Sequence, residues 1–190
     1  AIAYQGYTLD EFDIDAALER RPGLILVDEL AHTNAPGSRH PKRWQDVAEL
    51  LVSGIDVATT LNIQHIESLN DLVAGFTHVQ VRETVPDSIL DSAEIIVVDL
   101  PPEALIERLR AGKVYLPETA GRALANFFTP AKLAALRELA LRYAAGAVDR
   151  RLTDQLALAG DEGDYAVGER ILVAVSPGKG GAQVIRHAKR

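Results

Sequence analysis

The chain has 190 residues, 47% hydrophobic and 25% charged, with a formal net charge of −7. This is ordinary globular composition, long enough to bury a core unaided, and it excludes disordered, collagen-like and low-complexity classes. The acidic balance argues against a nucleic-acid partner; the absence of cysteine excludes disulfides, thiol catalysis and thiolate zinc sites; and no apolar run of about 18 residues is present for membrane insertion. The chain starts at Ala1, contains no methionine and stops within a helical pattern, so it reads as an internal fragment.

Thr8 and Glu11 form a capping-box pattern that predicts a helix from Leu9 to about Arg20, ended by Pro22 and Gly23. Leu24 to Val27 is a continuous apolar run, the pattern of a central parallel strand buried on both faces. A polar loop, 31–40, leads through Pro41 into a helix turning Trp44, Val47, Leu50 and Leu51 inward, with Gly54 as its cap. A second strand is expected over Ile55 to Leu61, with a polar exit at 62–65 and a short helix over Ile66 to Val73. Val79 to Val81 reads as a short third strand, Ser88 to Ala93 as a helical turn or two, and Ile95 to Val98 as a strong fourth strand closed by Asp99. Glu103 to Arg110 is an amphipathic helix. A long helix, or two broken near Gly146, covers 130–159; residues 160–169 form a linker; and Arg170 to Val175 begins a second domain. The alternation of strands and helices defines a mostly parallel α/β sheet, and ligands bind such sheets at the carboxyl ends of their strands. The polar residues at those ends are Asp28, Glu29, Thr59, Thr60, Asn62, Gln64, His65 and Asp99.

Four apolar residues followed by Asp28 and Glu29 have the form of a Walker B strand. A rigid strand would let Asp28 hold a magnesium ion that neutralises nucleotide phosphates, while Glu29 orients or deprotonates an attacking water. A core strand ending in two solvated acids has the same appearance. Asp99 has the same local form without the second acid. The phosphate loop that should accompany a Walker B strand does not precede Leu24. The loop 176–181 has the wrong spacing for one, although its amides could meet an anion. The basic cluster 38–43 could reach a phosphate or an acidic partner, or could be a solvated helix start. His32, His40 and His65 match no compact metal-binding spacing. The polar run 82–87 either closes the cleft or is an exposed loop.

The run from Val27 through Asp46 resembles the sensor module of the KdpD family, the bacterial potassium and osmotic sensor histidine kinases. Matching runs recur at 54–57, 62–71, 81–87, 98–102, 112–115 and 135–142, and together they cover most of residues 2–150. The resemblance implies a P-loop-type ATP-binding fold over 1–159 that lacks its first strand and phosphate loop, followed by the start of a universal-stress-protein-like domain at 170–190. It implies ATP and magnesium as cofactors. Asp28 and Glu29 would be the Walker B pair, with Asp28 holding the metal and Glu29 catalytic only if ATP is hydrolysed; Thr60, Asn62 and Asp99 would join them in binding nucleotide.

The resemblance implies a parent that is a dimeric bacterial inner-membrane protein, with this region on its cytoplasmic side and its transmembrane helices and kinase core further along. It would autophosphorylate on histidine and control potassium-uptake genes through a response regulator. No histidine of this chain takes the phosphoacceptor role. Two alternatives remain: an active P-loop-type ATPase or protein kinase module, and a non-catalytic scaffold for a protein or small ligand.

Overall fold

A computed structural model describes residues 2–4, 7–9, 11–111 and 129–158. The linker 160–169, the strand expected at 170–175 and the loop 176–181 lie outside these residues, as does the matching run 112–115. The chain divides into two units, one of residues 1–94 and 101–136, the other of residues 95–100 and 137–190.

In the first unit, β1 (Ile2–Tyr4) and β2 (Tyr7–Leu9) pair as an antiparallel hairpin, with Ile2 opposite Leu9. Helix α1 runs only over Ile14–Arg20. The expected start at Leu9 is corrected: Glu11 spends its carboxylate on other groups, and Asp13 caps the helix by accepting from the Ala16 amide at 3.0 Å. Strand β3 (Leu24–Val27) pairs in parallel with β4 (Asp56–Thr59), in a register that sets Val27 beside Thr59. Helix α2 (Arg43–Val52) connects them. Its first turn is closed by the Gln45 side chain, which accepts from the Lys42 amide at 3.1 Å. Gly54 takes φ +79° immediately beyond it, a conformation few other residues adopt at low cost.

Ile14, Ala17, Val27, Val47, Leu50 and Ile55 form one buried cluster, against which Trp44 and Val57 pack. The helices thus cover one face of the parallel pair. The expectation that β3 is buried on both faces is corrected: Val27 is 4% exposed, but Leu26 is 77% exposed on the opposite face. Among the described residues nothing covers that second face.

Beyond β4 the chain makes two single turns of 3₁₀ helix, Ile63–His65 and Glu67–Leu69, before α3 (Asn70–Thr77). Ile66 pairs in parallel with Val85, through Val85 N to His65 O at 2.8 Å and Glu67 N to Val85 O at 3.1 Å. That rung keeps Ile66 extended and delays the helix by four residues. The short strand expected at Val79–Val81 is absent; the Val81 carbonyl accepts from the Asn70 side chain at 2.6 Å instead of a neighbouring strand. Asp87–Ile89 is a further 3₁₀ turn and α4 spans Pro102–Arg110. Helix α5 is continuous over Pro130–Leu158, through Gly146. At its start Lys132 donates to the Thr77 carbonyl at the end of α3, at 3.1 Å.

In the second unit, Ile95–Val98 forms no strand, which corrects the expectation of a fourth. Its apolar side chains find no ladder partner among the described residues, and Ile96 and Val98 are exposed. The expected sheet of several parallel strands is therefore a two-stranded parallel sheet, and the α/β class stands at that level.

Candidate functional site

The chain leaves β3 at Asp28 and turns sharply at Glu29, which has φ +53°. A left-handed glutamate carries a conformational cost, and four hydrogen bonds hold it there. The Glu29 amide donates to Asp28 Oδ1 and to Thr60 Oγ1, both at 3.0 Å. The Leu30 amide donates to the Thr60 carbonyl at 3.0 Å, and the His32 amide to the Glu29 carbonyl at 2.9 Å. The Thr60 hydroxyl donates in turn to Asp28 Oδ1. Parallel pairing of β3 with β4 brings Thr60 beside Asp28, so the two strand exits form one polar edge.

That edge opens on a pocket of about 90 Å³, with Glu29, His32, Thr60, Asn62, His65 and Glu83 as its polar lining and Leu30, Ala31 and Leu61 as its apolar part. Glu83 arrives from the run 82–87, which therefore contributes to the cleft wall. Its carboxylate accepts from the Thr33 amide at 2.9 Å. His65 Nδ1 lies 2.7 Å from the Glu83 carbonyl oxygen. A carbonyl can only accept, so Nδ1 carries a proton and donates it to this bond.

Behind the edge, Glu11 gathers three donors. Its carboxylate meets His32 Nε2 at 3.1 Å, the Ala35 amide at 2.9 Å and Arg43 Nη2 at 3.3 Å. Arg43 also donates through Nη1 to the Asp28 carbonyl at 2.9 Å. Part of the basic cluster thus meets an acidic partner inside its own chain. His40 pairs with Glu49, and Arg39 bridges Asp15 and Glu49. Asn34 and Asp46 are buried together, 2.6 Å apart.

The electrostatics follow these contacts. The Thr60 hydroxyl, then the Glu29 amide, hold the Asp28 carboxyl below its ordinary value; burial opposes them and Arg43 adds to them. Burial pushes Glu11 upward, but its bonds to His32 and Ala35, with the charges of His32 and Arg43, leave it lowered. Glu83 is lowered by the same balance, its bonds to Thr33 outweighing burial. Asp46 is raised, because burial exceeds the help from Asn34. Glu83 in the pocket wall, Asp28 beside it and Glu11 behind it are thus stabilised in their ionised form.

Of the expected site residues, Glu29, Thr60 and Asn62 line the pocket; Asp28 adjoins it, bonded to the Thr60 hydroxyl, without lining it. Asp99 is not in the pocket lining; in the second unit its two oxygens meet Arg137 Nε and Nη2 at 2.5 and 2.6 Å, and this pairing lowers its pKa. Thr59 and Gln64 do not line the pocket either. Sequence reading missed Glu11 as the anchor, because nothing local marks a carboxylate that will meet residues more than twenty positions away.

Among the described residues no three histidine or acidic side chains are arranged to hold a metal by themselves. The oxygen donors at this edge, Glu29, Thr60 and Asn62 in the pocket lining and Asp28 beside it, are of the hard type that magnesium prefers. Magnesium commonly takes only one or two protein carboxylates and completes its shell with phosphate and water oxygens. The donor set therefore fits magnesium carried in with a phosphate ligand. No phosphate cradle occurs among the described residues.

The fold and site define an α/β protein whose parallel strands end in an acidic, polar cleft. The chain belongs to the KdpD family: the model for the osmosensitive K⁺ channel His kinase sensor domain matches residues 1–148. It is 53% identical over 189 residues to the sensor protein KdpD of Escherichia coli (strain K12), covering 99% of this chain and 21% of that protein. It is 49% identical over 190 residues to the sensor protein KdpD of Clostridium acetobutylicum, covering 100% of this chain and 21% of that protein. A putative sensor protein KdpD of Synechocystis is 50% identical over 189 residues, covering 98% of this chain and 50% of that protein. The chain thus spans about a fifth of the first two relatives and half of the third.

Proposed function

We propose that this region is the regulatory ATP-binding part of a two-component sensor histidine kinase that controls potassium-uptake genes through a response regulator. The names of its relatives support the sensor role. The observation that carries the ATP reading is the acidic pair at the exit of β3, braced by Thr60 from the parallel neighbour β4. Asp28 would hold magnesium, Glu29, Thr60 and Asn62 would face the phosphate end of the nucleotide, and a P-loop-type fold would supply the rest. Magnesium would neutralise phosphate charge there. The region would lie on the cytoplasmic side of a membrane-bound kinase; no helix among the described residues is long and apolar enough to cross a membrane.

Binding acts as regulation only if the kinase has two states of different ATP affinity. The test is Asp28→Asn in the full-length kinase. The expected outcome is an altered response of autophosphorylation to potassium, with autophosphorylation itself retained. A variant with a wild-type potassium response overturns the regulatory reading.

A second reading, ATP turnover, draws on Glu29, whose left-handed backbone places it in the pocket lining. It predicts phosphate release that is lost in Glu29→Gln while nucleotide binding survives. Binding without release favours regulation alone.

A further inference from the structure

Asp28 has two carboxylate oxygens in unequal surroundings. Oδ1 accepts from the Glu29 amide at 3.0 Å and from the Thr60 hydroxyl. Oδ2 has no hydrogen-bond partner among the described residues. The peptide joining Asp28 to Glu29 is also held from both sides, its carbonyl by Arg43 at 2.9 Å and its N–H by Thr60 at 3.0 Å. Neither the carboxylate nor the peptide behind it can turn without breaking one of these bonds.

We propose that Thr60 is a positioning residue that sets cation preference, by occupying Asp28 Oδ1 so that Asp28 meets a divalent cation through Oδ2 alone. Calcium accepts one or both oxygens of a carboxylate and tolerates six to eight ligands in flexible geometry. Magnesium demands a small octahedral shell and takes one oxygen from each of its few carboxylates. A carboxylate with one oxygen occupied suits the smaller ion. Without the Thr60 hydroxyl, Oδ1 keeps only the Glu29 amide and has a lone pair open to the two-oxygen embrace that calcium accepts. This inference rests on the nucleotide–metal reading above, and its tests separate the two.

The first test needs no ligand. Hydrogen exchange at the single Glu29 amide is compared in the wild-type chain, Thr60→Ser and Thr60→Val. Serine keeps the hydroxyl; valine keeps the shape and loses it. Exchange is expected to be slow in the first two and several-fold faster in the valine variant, whose Glu29 amide keeps only the Asp28 carboxylate, with the Leu50 amide in the core unchanged. Equal exchange at Glu29 in all three overturns the clamp.

The second test is calorimetric titration of the same chains with Mg-ATP and with Ca-ATP. The wild-type preference for magnesium should shrink about tenfold in Thr60→Val and return in Thr60→Ser. An unchanged preference in Thr60→Val overturns the assignment. Failure of the wild-type chain to bind either complex overturns the nucleotide reading and the cation preference together, and the exchange measurement then decides the clamp.

Discussion

Glu11 is the side chain on which the loop behind the cleft depends. It is only 10% exposed and receives His32, the Ala35 amide and Arg43. A glutamine in its place keeps the shape, removes the charge and leaves Arg43 and His32 poorly satisfied. We expect Glu11→Gln to destabilise the chain by about 1–3 kcal/mol at pH 7 in urea unfolding. The pH dependence has a definite sign. The carboxyl is depressed in the fold, so its contribution is complete above the unfolded value near 4.5 and is lost as pH falls through the folded value. Wild type and Glu11→Gln should therefore converge in stability at acid pH; a gap that persists there contradicts this account of Glu11.

At the scale of elements, glycine placement gives two opposite expectations. Gly54 sits at φ +79°, and an added Cβ would meet nothing within 4 Å, so the strain of Gly54→Ala is purely conformational. It should lower stability by about 1 kcal/mol. Gly146 lies within α5, where a Cβ would meet only the Arg150 side chain at an ordinary 3.6 Å. Gly146→Ala should raise helicity by circular dichroism and stabilise the helix by about 0.5–1 kcal/mol. Strand β3 and helix α2 were legible in the sequence, because a short apolar run and a 3.6-residue period are local signals. The cleft was legible only in part: Glu29, Thr60 and Asn62 line it and follow from where strands end, but Asp28, Thr59, Gln64 and Asp99 met the same criterion and do not line it. The start of α1 was not, because the competitor for Glu11 is a distant loop. The delay of α3 was not, because Ile66 answers to Val85. Ile95–Val98 has the composition of a strand, but composition cannot supply the neighbour that makes one.

At the scale of the molecule, any ligand that binds only the folded cleft must stabilise the fold around it. Mg-ATP at about one hundred times its Kd adds about 2.7 kcal/mol to unfolding, so the melting temperature should rise with Mg-ATP and not with ATP in EDTA. The central claim is that Asp28, set by Thr60 at the end of β3, is the metal-facing group of a nucleotide cleft. Calorimetric titration of this chain with Mg-ATP, beside Asp28→Asn, tests it most directly. The account predicts saturable binding to the wild-type chain, weakened at least about tenfold, or 1.4 kcal/mol, by the substitution. A flat wild-type titration into the millimolar range, or an isotherm that Asp28→Asn leaves unchanged, contradicts it.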